Sequence, residues 1–177
     1  MAPLSIMRSA SNVNILSEDE DDYDDEYNYP FIYQEDEDSD YEFFDTLDDA
    51  IDEAVLRGEG IITVRGGTYT PEDGICGIEI EGEVELTIKA FEDEEVIFDC
   101  GGENYFLHLT YDTEMEWVQV PPPPHPEFEQ TDGPTVTLEN ITVINGYATY
   151  GGAIDLEAGT LILNNCNFHN NAADEGG

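Results

Sequence analysis

Residues 136–152, VTLENITVINGYATYGG, align without a gap on residues 161–177, LILNNCNFHNNAADEGG, at an offset of 25. Leu138/Leu163, Asn140/Asn165, Asn145/Asn170, Ala148/Ala173, Gly151/Gly176 and Gly152/Gly177 are identical across the two units, and Val136/Leu161 and Val143/Phe168 keep their apolar character. No other feature restricts the fold as much. A unit this short cannot bury its own apolar face and must cover it with the next copy. The period within a unit is that of strands. Val136 and Leu138 alternate, the phase breaks at Glu139–Asn140, and Ile141 and Val143 alternate again. After Gly151 and Gly152, Ile154 and Leu156 fall on one face of a third short strand.

Three short strands joined by tight turns in 25 residues predict one coil of a parallel β-helix, with coils stacked at about the 4.8 Å strand spacing and like residues above like. Asn140 over Asn165 then predicts a side-chain amide ladder inside a turn, and Asn145 and Asn170 form a second repeated pair. The pairs Gly151/Gly176 and Gly152/Gly177 mark a bend that no Cβ can enter. Gly177 is reached two residues into the third strand, with no counterpart of AIDLEAGT after it. A β-helix stopped there exposes strand edges and an uncapped core. The expectation is a truncated product of a longer repeat protein, with an open last coil free to associate end to end.

Upstream, FDTLDDAIDEAVLRGEG places Phe44, Leu47, Ile51, Ala54 and Val55 at helical spacing. Thr46 suits the N-cap, Asp48 and Asp49 the first turn, and Arg57 and Gly58 the other end. This predicts an amphipathic helix over 43–58 that caps the first coil. From Gly60 onward, IITVRGGTYT, GIEIEGEVELTIKA, EEVIFDC and NYFLHLT are short β-branched runs parted by glycines and acids, so β-helix coils are expected over 59–177. An inserted loop at about 111–134 interrupts them, its Pro121–Pro124 run being extended chain. Residues 1–42 contain acid blocks interleaved with tyrosines, SEDEDDYDDEYNYPFIYQEDEDSDYEFF, and self-repulsion predicts a disordered acidic tail.

The run TLDDAIDEAVLRGEGIITVRGGTYT, with its helix, strand and Gly67-Thr68-Tyr69 turn, resembles the usual entrance of the right-handed parallel β-helix superfamily. GGAI at 151–154 and F-x-x-N at Phe168–Asn171 look like the paired motifs of polymorphic outer-membrane protein repeats, whose members are surface-exposed adhesins. The resemblance implies an all-β solenoid with a capping helix at the cell surface. It would serve adhesion, other binding or structure without catalysis, its partner being a protein or polysaccharide surface. Carbohydrate-active enzymes of the polysaccharide lyase or glycoside hydrolase type are the alternative class on such a fold, with a site in coils beyond these residues. The clustered Asp and Gly-His-Gly motifs of polygalacturonases are absent, and no catalytic set is expected here.

Charge narrows the partners further. Forty-three Asp and Glu against four Lys and Arg give a formal net charge of −39, which excludes nucleic acid and disfavours anionic membranes. Residues 18–42 hold 14 of the acids, leaving 29 on residues 43–177 against Arg57, Arg65 and Lys89, a net of −26 there. No run of 18 apolar residues occurs, so no transmembrane segment is expected. The start, MAPLSIMRSASNVNIL, makes a poor signal peptide.

Cys76, Cys100 and Cys166 are too few and too scattered to predict a disulfide framework or a zinc site. Cys166 aligns with inward Ile141 and reads as a buried reduced thiol, with Cys100 similar. His108, His125 and His169 stand at no metal-ligand spacing. Glu79, Glu81, Glu83 and Glu85 alternate and can line one solvent face, while Glu92, Asp93, Glu94, Glu95 and Asp99 crowd FEDEEVIFDC. Crowded carboxylates are relieved by cations, which makes those last five the Ca²⁺ candidates. No loop carries a defined calcium spacing, and diffuse cation condensation or adaptation to high salt accounts for the same charges.

Overall fold

The computed structural model describes residues 29–92, 94–111 and 133–175. In chain order, β1 (Phe31–Gln34) and β2 (Glu42–Phe44) precede the helix α1 (Leu47–Arg57). Then come β3 (Glu59–Val64), β4 (Gly67–Tyr69), β5 (Ile78–Glu81), β6 (Glu85–Ala90), β7 (Val96–Asp99) and β8 (Leu107–Thr110). The remainder comprises β9 (Thr135–Glu139), β10 (Ile141–Ile144), β11 (Tyr147–Tyr150), β12 (Ile154–Leu156), β13 (Thr160–Asn164), β14 (Asn167–His169) and β15 (Ala172–Glu175). The strands assort into four sheets, in the orders β13-β9-β6-β3-β1-β2, β14-β10-β7-β4, β12-β8-β5 and β11-β15.

This corrects the expected single right-handed parallel β-helix over 59–177. The strands belong to several separate small sheets, and the largest is mixed: β3, β6, β9 and β13 run parallel, whereas β1 pairs antiparallel with both β3 and β2. Strands of three to six residues end at turns whose residues hold positive φ, among them Gly82, Asn140, Asn145 and Asn165. A left-handed residue re-aims the backbone and ends the ladder it belongs to.

The helix follows its local signals. Thr46 accepts a hydrogen bond from the Asp49 N–H at 3.2 Å, and Gly58, at φ 83°, donates to the Ala54 carbonyl at 2.9 Å. Its buried stripe, Leu47, Ala50, Ile51 and Ala54, packs on β1, β2, β3 and β5, so the helix does cover one end of the core. Phe44, expected on that helix face, belongs to β2 instead.

The predicted disorder of residues 1–42 is also corrected where the chain is described. Phe31, Ile32 and Tyr33 are buried, and the whole of β1 lies between β2 and β3. Two of the few cations hold this segment. Arg57 reaches Glu42 and Glu53 at 2.6 Å each and Glu35 at 3.3 Å, with its guanidinium 5.6 Å from the centre of the Tyr33 ring. The Arg65 guanidinium donates from Nε to the Tyr29 carbonyl at 3.3 Å, and its backbone N–H donates to the Pro30 carbonyl at 3.0 Å. Tyr33 donates its hydroxyl to the Glu59 carbonyl at 2.9 Å, and burial pushes its pKa up to about 12. Gly60 is required beneath it, since a Cβ there would collide with the Tyr33 ring.

Inward residues of the parallel strands fill the core, including Ile62, Leu86, Ile88, Ile80, Leu107, Leu109, Val136, Leu138, Ile141 and Val143. A line of rings crosses it, Phe31–Tyr69–Phe98–Phe106, with successive centroids 5.1, 5.8 and 5.0 Å apart. Cys76, ahead of β5, and Cys100, after β7, meet in a disulfide with Cα atoms 5.7 Å apart, which corrects the expectation of reduced thiols. Sequence spacing hid this pair because the turns flanking β5 and β7 are brought together only by the fold.

Candidate functional site

The repeat residues come together in register. Leu161 pairs with Val136, Leu163 with Leu138, Phe168 with Val143 and Ala173 with Ala148, each 25 residues apart, the offset of the alignment. Asn140, Asn145, Asn165 and Asn170 all adopt positive φ, between 54° and 59°, a region that asparagine tolerates better than most residues. Asn165 Nδ2 donates to Asn140 Oδ1 at 2.8 Å, and Asn145 Nδ2 donates to Asp99 Oδ1 at 2.8 Å.

The F-x-x-N pair divides its work. Phe168 packs against the core, while Asn171 reaches back one unit, accepting from the Gly146 N–H at 2.7 Å and donating to the Val143 carbonyl at 3.0 Å. Gly152 lies against the Ala172 backbone so closely that a Cβ would overlap it. Gly151 holds φ 55°. Gly176 and Gly177 lie outside the described residues, as do Asp93, His125 and residues 112–132 of the expected insertion. Around the second unit, Ile154, Leu161, Leu163 and Phe168 line a shallow hollow of about 400 Å³.

The calcium candidates are spread over separate turns. Glu94 Oε2 accepts the Gly66 N–H at 2.6 Å, and Asp99 Oδ1 takes both the Gly101 N–H at 3.0 Å and Asn145. Glu92 stands at φ 50°, and the carbonyl of Glu95 accepts from Gly67. Among the described residues these carboxylates do not converge on a point. The alternating glutamates also part company: Glu79 and Glu81 face solvent from β5, whereas Glu85 begins β6 in another sheet. Cys166 is free and partly exposed rather than buried, its sulfur 3.2 Å from the Leu138 carbonyl oxygen.

A cluster that spacing did not reveal lies on the outer face of the three-stranded sheet. Parallel register sets Glu79 of β5, His108 of β8 and Asp155 of β12 side by side. Glu157, just past β12, donates its N–H to the Leu109 carbonyl at 2.9 Å and accepts the Thr110 hydroxyl at 3.3 Å. His108, Asp155 and Glu157 bring ligand atoms within 4.8 Å of one another. Glu79 Oε1 lies 3.5 Å from His108 Nδ1, and Glu157 Oε2 lies 3.8 Å from Nε2. The Tyr105 and His108 rings meet edge to face with centroids 5.8 Å apart, and the Tyr105 hydroxyl pKa is raised by burial and by the charges of Glu79 and Asp155. The available signal was the repeated apolar–polar alternation of IEIE, LHLT and IDLE at the same strand position.

Among the described residues, no helix is long and apolar enough to cross a membrane. Comparisons with protein-family models, with curated proteins and with solved structures found no match to this chain.

Proposed function

We propose that the chain is a non-catalytic repeat protein that binds a protein or polysaccharide surface, in the manner of the surface adhesins its repeats resemble. The observation that carries this reading is the stacking of the 136–150 unit on the 161–175 unit at the same 25-residue offset throughout three strand pairs. Such stacking presents outward residues of successive units in rows, a geometry suited to an extended partner. The exposed Tyr147 and Tyr150 supply large contact area beside those rows. The Cys76–Cys100 disulfide supports an oxidising, extracellular location.

The test is retention of the full chain on columns of neutral and acidic polysaccharides and on immobilised extracellular proteins, with reducing ends assayed in parallel. The expected result is saturable retention on at least one surface without release of reducing ends. Steady cleavage of a polysaccharide would replace this reading by the carbohydrate-active enzyme, and failure to bind any surface would remove it.

A further inference from the structure

We propose that His108, Asp155 and Glu157 form a binding site for one divalent transition-metal ion, with Glu79 as the carboxylate that orients the histidine. Three observations carry it. The first is geometric: ligand atoms from β8, from β12 and from the residue just past β12 lie within 4.8 Å of one another. A tetrahedral ion with bonds of about 2.1 Å holds its ligand atoms about 3.4 Å apart. His108 Nε2 and Glu157 Oε2, 3.8 Å apart, already stand close to that spacing.

The second is an orphaned atom. His108 Nε2 is buried and makes no hydrogen bond, although the ring's other nitrogen faces Glu79. Buried polar atoms without a partner are rare because their desolvation is uncompensated. An ion at Nε2 supplies the missing partner. A carboxylate on the far nitrogen is the usual means of fixing a ligating imidazole in the right tautomer.

The third is charge. Glu79, Glu81, Asp155 and Glu157 share one small patch of sheet around a single imidazole. Like charges on adjacent strands destabilise the sheet, and a dication among them removes that cost. The imidazole nitrogen selects the class of ion. Calcium and magnesium prefer all-oxygen shells, whereas zinc, copper, nickel and cobalt take mixed nitrogen and carboxylate sets. Three protein ligands leave a further coordination position open to water or to a group on a bound partner. The inference stands apart from the proposed adhesive role and does not depend on it.

The probe is Zn²⁺ alone, titrated calorimetrically into the full chain in 0.3 M KCl, a salt level that screens diffuse counterion attraction. The expected result is one saturable site per chain, undisturbed by a hundredfold excess of Ca²⁺. His108→Gln and Asp155→Asn should each weaken it at least tenfold, and Glu79→Gln about tenfold, while His169→Gln should leave it unchanged. Unchanged affinity in His108→Gln, displacement by Ca²⁺, or several equivalent weak sites would overturn the proposal in favour of general cation condensation. Circular dichroism of each variant without metal checks its fold. If His108→Gln does not fold, Cu²⁺ paramagnetic resonance of a His125→Gln/His169→Gln chain decides: nitrogen hyperfine coupling from one imidazole supports the site, and its absence overturns it.

Discussion

Leu138 and Leu163 hold the same position in successive units and pair in register, yet Leu138 is 0% exposed and Leu163 is 46% exposed. The strands around them differ in the same way. In β6, buried residues alternate with others, whereas β13, in the same sheet, buries none fully. Among the described residues, β9 has a strand on either side, β6 and β13, whereas β13 has β9 alone. A repeat therefore fixes which way a side chain points, and the adjoining layer determines whether that direction is dry. Leu161 and Phe168 still pack on the core, so the exposed unit is attached through one face.

The comparison is tested most directly by paired truncations. Leu138→Ala should cost about 3–5 kcal/mol, as a buried leucine does, and Leu163→Ala about 1 kcal/mol, both read from urea unfolding. Equal losses would break the distinction. Replacing both Cys76 and Cys100 by serine should cost about 3 kcal/mol, from the chain entropy regained when a loop with a 24-residue separation is opened. A loss confined to a few tenths would mean that the neighbouring turns already hold that loop closed.

Asn171→Ala should cost about 1–2 kcal/mol, because Gly146 N–H and the Val143 carbonyl both lose their partner. Hydrogen exchange at the Gly146 amide should quicken with it, and an unchanged rate would show that water replaces the side chain. The smallest effect is alkaline. The Tyr33 pKa is raised from 10.0 to about 12, so the stability it contributes is complete below pH 10 and is lost as pH rises towards 12. Melting curves across that window should show the loss in the wild type and a shallower one in Tyr33→Phe. Identical slopes would place the titration elsewhere.

The repeat offset and the helix caps were legible in the sequence because both rest on local signals. Asn140 and Asn165 recur at one left-handed turn position, and Thr46 and Gly58 flank a single apolar stripe. The β1 strand was not legible. Its apolar run, Phe31 to Tyr33, is three residues long and sits between acid blocks, so average composition pointed to a solvated tail. Its burial depends on β3, paired with it antiparallel at separations of 27 to 33 residues, and on Arg57, whose guanidinium lies 5.6 Å from the centre of the Tyr33 ring. The division into four sheets was missed for a related reason, since alternation marks a strand without saying which partner it finds. The His108 cluster joins residues drawn from three strands by register alone, and no linear spacing encodes that.

In the six-stranded sheet, β3 and β6 pair at an offset of 26 residues, β9 and β13 at 25, but β6 and β9 at 50. All three pairs are nonetheless adjacent strands. Chain length between partners is thus a free variable for this fold, and loop closure penalises added length only logarithmically. By that argument, lengthening the connection between Thr110 and Thr135 by about ten residues should cost well under ~1 kcal/mol. Register in this sheet is therefore held by the pairing of β6 with β9 itself, not by the length of chain that joins them.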